Sequence, residues 1–155
     1  MAKNKKTEDE VRNEAGAILG FTDSNGVNIE NEDVISGVGQ LTTFIELGKR
    51  LNIAKFAKYS DKPDGWYLPI NASDVAIILE AKSEKEDITK KKWENELFKN
   101  IDIVSEQYSK VVGLLYNGKN VRVFIEKEEC CSVANTLQRY SYYARLITQK
   151  TLDKK

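Results

Sequence analysis

Apolar positions along the chain follow two different periods, and the switches between them divide it into elements. Val11, Ala15, Ile18 and Leu19 recur at helical spacing, which puts them on one stripe of a helix. Thr7 and Glu10 stand three apart just before that stripe, the pattern of a capping box, and Gly20 supplies a stop. Residues 22–34 are polar, with Asn25-Gly26 as a turn signal. A second helix is expected over about 36–51, where Val38, Leu41, Ile45 and Leu51 share a face, although Gly37 and Gly39 fall near its start. Residues 54–59 are expected to form a first strand.

Further along, the period becomes that of strands. Lys62-Pro-Asp-Gly65 leads into Trp66-Tyr-Leu-Pro69, a polar turn at Asn71-Ala-Ser73, and Val75-Ala-Ile-Ile-Leu79. The last run is apolar on both alternating faces, as a central buried strand requires. From about 86 to 108 the period is helical again, with Trp93, Leu97, Ile101, Val104 and Tyr108 on one side. Val111–Tyr116 and Val121–Ile125 read as strands joined at the hairpin turn Asn117-Gly118, and a final helix is expected over about 133–149. Helices, a hairpin, a long helix and two more strands make an α/β sandwich around a mixed sheet. The expected unit is a single domain over 7–149, with flexible ends at 1–6 and 150–155, belonging to a longer polypeptide.

Composition narrows the chemistry more than the fold. The 155 residues hold 24 basic and 24 acidic side chains and no histidine. Absence of imidazole removes Ser-His triads, histidine acid–base catalysis and nearly every zinc site. Cys130 and Cys131 are adjacent, which suits neither a spaced metal motif nor a disulfide framework. Carboxylates and lysines remain, and they suit hard cations such as Mg²⁺. No apolar run approaches the roughly 20 residues of a membrane span, and no apolar stretch follows the basic Met1–Lys6, so the expected location is cytoplasmic. A formal charge of zero leaves little surplus for gripping nucleic acid unaided.

One constellation stands out. Pro63-Asp64 is followed, after fifteen residues, by Glu80-Ala81-Lys82. Glu80 and Lys82 are two apart on a strand and so share a face. If the hairpin folds symmetrically about Ala72, Asp64 lies opposite Glu80 and Trp66 opposite Ile78. Directly opposed Cβ atoms are roughly 4.5–5.5 Å apart, and two carboxylates at that spacing repel unless a cation lies between them. A divalent metal meets that need, and so does a lysine, which would make the set a structural ion pair. Phosphodiester hydrolysis needs such a metal to acidify water and neutralise charge on the phosphoryl oxygens. Asp64 and Glu80 are then the expected metal ligands for Mg²⁺, with Mn²⁺ able to substitute, together with the Ala81 carbonyl. Lys82 is expected to position the water or stabilise the transition state.

These residues resemble the PD-(D/E)xK nuclease superfamily, whose motif is matched by Pro63-Asp64 and Glu80-Ala81-Lys82. The likeness extends over most of residues 7–125. It is nearest to the N-terminal nuclease domains of bacterial restriction enzymes, both type I motor subunits and single-chain enzymes. Val11-Arg-Asn-Glu14, Glu80-Ala-Lys-Ser83, Val112-Gly-Leu-Leu-Tyr-Asn-Gly118 and Val121-Arg-Val-Phe124 carry it. The resemblance implies a restriction-endonuclease-like sandwich with helices on both faces of the sheet. It also implies DNA as substrate, in a restriction-modification system, with methyltransferase, translocase or target-recognition domains as partners. An additional acid from an early helix is implied as well, with Glu10, Glu14 and Glu46 as candidates. Many relatives carry Gln-x-x-x-Tyr in the helix after the lysine; here Gln107 is followed at the fourth position by Val111, and Glu96 and Asn100 stand at that spacing instead.

Other features have ordinary readings. Lys90-Lys-Lys92 at a helix start reads as a solvated face before it reads as a phosphate contact. Tyr140, Tyr142, Tyr143 and Arg145 can stack on bases, yet such a set more often packs a helix onto its domain. Gly16, Gly20 and Gly113 are too scattered for a phosphate-binding loop. Three functions therefore compete: an endonuclease module, an end-processing exonuclease, and a non-catalytic nucleic-acid-binding or assembly domain. An intact Asp64, Glu80 and Lys82 favours the first two, and the zero net charge favours the third.

Overall fold

A computed structural model describes residues 5–130. Cys131, the helix expected over 133–149 and its tyrosines lie outside the described residues. Seven strands form one sheet in sequential order: β1 (Ile29–Glu30), β2 (Val34–Val38), β3 (Gly65–Pro69), β4 (Ala76–Ala81), β5 (Val111–Tyr116), β6 (Val121–Ile125) and β7 (Glu128–Glu129). Every neighbouring pair is antiparallel except β4–β5. That parallel pair needs a crossover, which α3 (Lys91–Val104) supplies. The architecture is α/β with a mixed sheet, as the periodicities imply.

The two faces of β4 explain the layers. All six of its residues are buried. Ala76 and Ile78 pack with Phe44 and Leu47 of α2 (Phe44–Leu51) and with Leu97, Ile101 and Val104 of α3. Ile77, Leu79 and Ala81 pack on the other side with Val11 and Ala15 of α1 (Glu8–Leu19). Helices therefore cover both faces. The start of α1 is the expected capping box: Thr7 Oγ1 accepts from Glu10 N–H, Glu10 Oε1 accepts from Thr7 N–H, and Gly20 closes the helix at φ 77°.

Two expected elements are corrected. The helix expected over 36–51 is a strand followed by a shorter helix, since β2 covers Val34–Val38 and α2 starts only at Phe44. Ile35 and Ser36 are buried in the sheet against Leu68 and Tyr67, while Leu41, placed on the helical stripe, is 74% exposed. Gly37 lies so close to Asn28 that a Cβ would meet its side chain at 2.3 Å, so this glycine serves strand packing, not a helix. Thr43 Oγ1 accepts from Glu46 N–H at 3.2 Å and sets the true helix start. The strand expected over 54–59 is a 3₁₀ helix, Ala54–Lys58. Ile53, Phe56 and Tyr59 turn inward at every third position, the period of a 3₁₀ turn and not of a strand. The third helix is also shorter than the expected 86–108, but Tyr108 remains buried and donates from its hydroxyl to Pro69 O at 2.5 Å. No helix among the described residues is long and apolar enough to cross a membrane.

Candidate active site

The β3–β4 hairpin has the register inferred from symmetry: Trp66 pairs with Ile78 and Gly65 with Leu79. Asp64, one residue before β3, therefore comes beside Glu80. Its Oδ2 accepts from Ala81 N–H at 2.9 Å, and its own carbonyl accepts from Gly39 N–H at 3.0 Å. The N–H and C=O of one strand residue leave the chain on the same edge, so the Ala81 carbonyl also projects toward Asp64. Lys82 N–H turns the other way and donates to Tyr116 O on β5 at 2.9 Å.

Glu80 is 5% exposed, and its Oε1 accepts from Asn100 Nδ2 at 2.8 Å. Its Oε2 lies 3.8 Å from Lys82 Nζ. Lys82 is also buried, and its Nζ donates to Glu96 Oε2 at 2.8 Å and rides 4.2 Å from the centre of the Trp93 ring. Glu96 and Asn100 are one turn apart on α3, while Glu80 and Lys82 are two apart on β4, so the spacings match along the two elements. An open cleft of about 360 Å³ unites Asp64, Glu80 and Lys82 with Glu8, Glu96 and Asn100. All three residues expected from the sequence thus meet at one place.

The electrostatics are unbalanced. Burial pushes the Glu80 carboxyl well above its ordinary pKa, and the nearby Asp64 carboxylate pushes it further; Lys82 opposes both. Burial lowers the Lys82 ammonium, but its bond to Glu96 and the charges of Glu80, Glu96 and Asp64 outweigh that and leave its pKa raised. A charged Lys82 and a reluctantly charged Glu80 therefore share the cleft.

Sequence reasoning missed the contribution of α1. Glu8 lines the cleft, and its pKa is raised by burial and then by Asp64. Arg12 is 3% exposed and donates to Glu8 and Asp64. The three early acids considered lie elsewhere. Glu10 closes the capping box, Glu14 holds Lys6 Nζ at 2.6 Å and accepts from Tyr116 Oη at 2.8 Å, and Glu46 sits at the start of α2 beside Thr43. The sequence carries only a weak trace of it, since Arg12 stands four residues from Glu8, a spacing that ordinarily marks a solvated pair.

Among the described residues, no group of three or more histidine, cysteine, aspartate or glutamate side chains is arranged to hold a metal ion. Asp64 and Glu80 nevertheless fit one partly hydrated hard cation. They present oxygen donors from the two arms of the β3–β4 hairpin, the Ala81 carbonyl projects to the same edge as its N–H, and a cation between the carboxylates would relieve the Asp64 charge that, after burial, raises the Glu80 carboxyl. Mg²⁺ keeps several waters and is commonly bound through one or two carboxylates. Comparison with family models, curated proteins and solved structures returned no match.

Proposed function

We propose that this domain is a Mg²⁺-dependent endodeoxyribonuclease with a restriction-endonuclease-like fold, acting within a restriction-modification system. The observation that carries the reading is the convergence of Asp64, just before β3, and Glu80 on β4, with the Lys82 ammonium 3.8 Å from Glu80 in the same cleft. The helix–meander–crossover–hairpin order around that site supports it.

Asp64 and Glu80, with the Ala81 carbonyl, would hold Mg²⁺, and Mn²⁺ could replace it. The ion, when bound, supplies positive charge to the phosphoryl oxygens and lowers the pKa of a coordinated water. Asn100 keeps the Glu80 carboxylate turned into the cleft through Oε1, and the Ala81 N–H does the same for Asp64 through Oδ2. Lys82 offers an N–H to a non-bridging phosphate oxygen, where charge grows during attack; a preorganised donor of that kind lowers the barrier. Glu96 is 52% exposed at the cleft and anchors Lys82. DNA is the proposed substrate, and further domains for recognition, methylation or translocation are the proposed partners, since equal numbers of acids and bases leave little surplus charge for binding DNA unaided.

Cleavage of covalently closed plasmid by the full chain with Mg²⁺ tests the reading. Nicking of the closed circle, absent in Asp64→Ala and in chelator, is the expected result. Degradation of linear DNA alone points to an end-processing exonuclease, and no cleavage of either substrate by a folded, metal-loaded protein overturns the nuclease assignment.

A further inference from the structure

Arg12 is a buried cation on a helix whose inward stripe is otherwise made of Val11, Ala15 and Gly16. Its Nη2 donates to Glu8 Oε2 at 3.0 Å and to Asp64 Oδ1 at 3.4 Å, and its Nη1 donates to Asp9 Oδ1 at 2.5 Å. Its Nε, although buried, has no hydrogen-bond partner. Both terminal nitrogens thus face carboxylates while the inner one is unsatisfied, so acid neutralisation, not complete hydrogen bonding, accounts for its placement. Two of its three partners, Glu8 and Asp64, line the cleft.

We propose that Arg12 is a tethered counter-cation: it neutralises the Asp64–Glu8 cluster when no divalent metal is bound, and its charge holds down the affinity of the site for that metal. The inference rests on Asp64 and Glu80 being the metal ligands. Two effects of losing Arg12 oppose each other. Asp64 loses one anchor, which weakens binding, and a fixed positive charge leaves the site, which strengthens it. The first is small because the Ala81 N–H still holds Asp64 Oδ2 at 2.9 Å. The second is large, because a unit charge a few ångströms from a divalent ion in a partly buried cleft alters affinity by about tenfold or more.

The signature is a pair of opposite changes. Arg12→Gln lowers the stability of the metal-free protein, because Glu8, Asp9 and Asp64 lose their shared cation, and tightens metal binding. An arginine that merely clamps α1 to the sheet lowers stability without tightening binding.

Calorimetric titration of the full chain with Mn²⁺, paired with thermal melts in chelator, distinguishes these. Wild type is expected to bind one ion that Asp64→Asn loses, Arg12→Gln to bind it about tenfold or more tightly, and Arg12→Lys to stay within about threefold of wild type. Equal or weaker binding by Arg12→Gln, with the wild-type site still lost in Asp64→Asn, overturns the role of Arg12 alone. A wild type without a Mn²⁺ site, or one that Asp64→Asn retains, overturns the metal reading and Arg12's role with it. If Arg12→Gln does not fold, Asp9→Asn carries the test. Asp9 is exposed and touches Arg12 without lining the cleft. Its loss leaves the guanidinium less compensated and should weaken Mn²⁺ binding about threefold, and unchanged affinity overturns the proposal.

Discussion

Replacing Glu80 with glutamine should stabilise the metal-free protein. Across the hairpin Asp64 comes beside Glu80, and two carboxylates about 5 Å apart repel by about 3 kcal/mol at an effective dielectric constant near 20. Lys82 lies 3.8 Å from Glu80, and its attraction at the same dielectric is about 4 kcal/mol. The two nearly cancel, and Lys82 is shared with Glu96 at 2.8 Å, so the desolvation of a carboxylate only 5% exposed decides the sign. Glutamine removes that charge while its carbonyl still accepts from Asn100. The expected gain is about 1–3 kcal/mol, several degrees in midpoint for a chain of this size. The pH dependence follows from the raised carboxyl. A folded state that holds its proton more tightly than the unfolded state has an advantage in acid, which disappears as pH rises through the folded pKa. Urea melts in chelator should therefore show little difference between wild type and Glu80→Gln near pH 5, and a gap that widens toward pH 8.5. Added Mg²⁺ should close it by stabilising wild type alone. Parallel pH curves, or a variant less stable by more than about 2 kcal/mol at pH 8.5, would refute the reasoning and identify Glu80 as half of a favourable ion pair.

Two further substitutions test how the site is supported. Asn100→Ala removes the donor to Glu80 Oε1 and should destabilise the metal-free protein by about 1–3 kcal/mol in urea at pH 8, an effect that Glu80→Gln should reduce in a double-mutant cycle. Gly113→Ala places a Cβ 2.5 Å from Ile101 Cδ1, beneath the helix that carries Glu96 and Asn100. It should cost about 1–3 kcal/mol, and an alanine variant with the wild-type urea midpoint would show that α3 sits less tightly on β5 than described.

The parts of this molecule legible in its sequence are those where one local signal determines the outcome. The capping box at Thr7 and Glu10 needs only side chains three residues apart. The hairpin register needs only the turn around Ala72 and two apolar runs, and from it came Asp64 beside Glu80. Residues 36–51 failed for the opposite reason. Val38, Leu41 and Ile45 imitate a helical stripe, while the close approach of Gly37 to Asn28 and the pairing of β2 with β3 are tertiary facts that no local period contains. The inward set Ile53, Phe56 and Tyr59 did carry its own signal, a period of three, and a strand reading overlooked it. Glu8 and Arg12 were hidden because an acid and a base four apart on a helix form an ordinary solvated pair. Only the packing of α1 over the sheet turns that pair toward Asp64. Glu96 and Asn100 were visible as a spacing, but their partners Lys82 and Glu80 emerge only when α3 crosses between β4 and β5.

The most direct test of the central claim is the Mg²⁺-dependent plasmid cleavage rate of Lys82→Ala, measured on full chain whose fold and Mn²⁺ affinity have been verified. Lys82 donates to Glu96 and is no part of the proposed metal ligand set, so its loss should not weaken metal binding and, by removing a cation 3.8 Å from Glu80, should tighten it. Removal of one preorganised donor at a phosphoryl transition state should lower the cleavage rate by about 10²–10³. Cleavage at the wild-type rate would contradict the account and reduce Lys82 to a buried partner in an ion network.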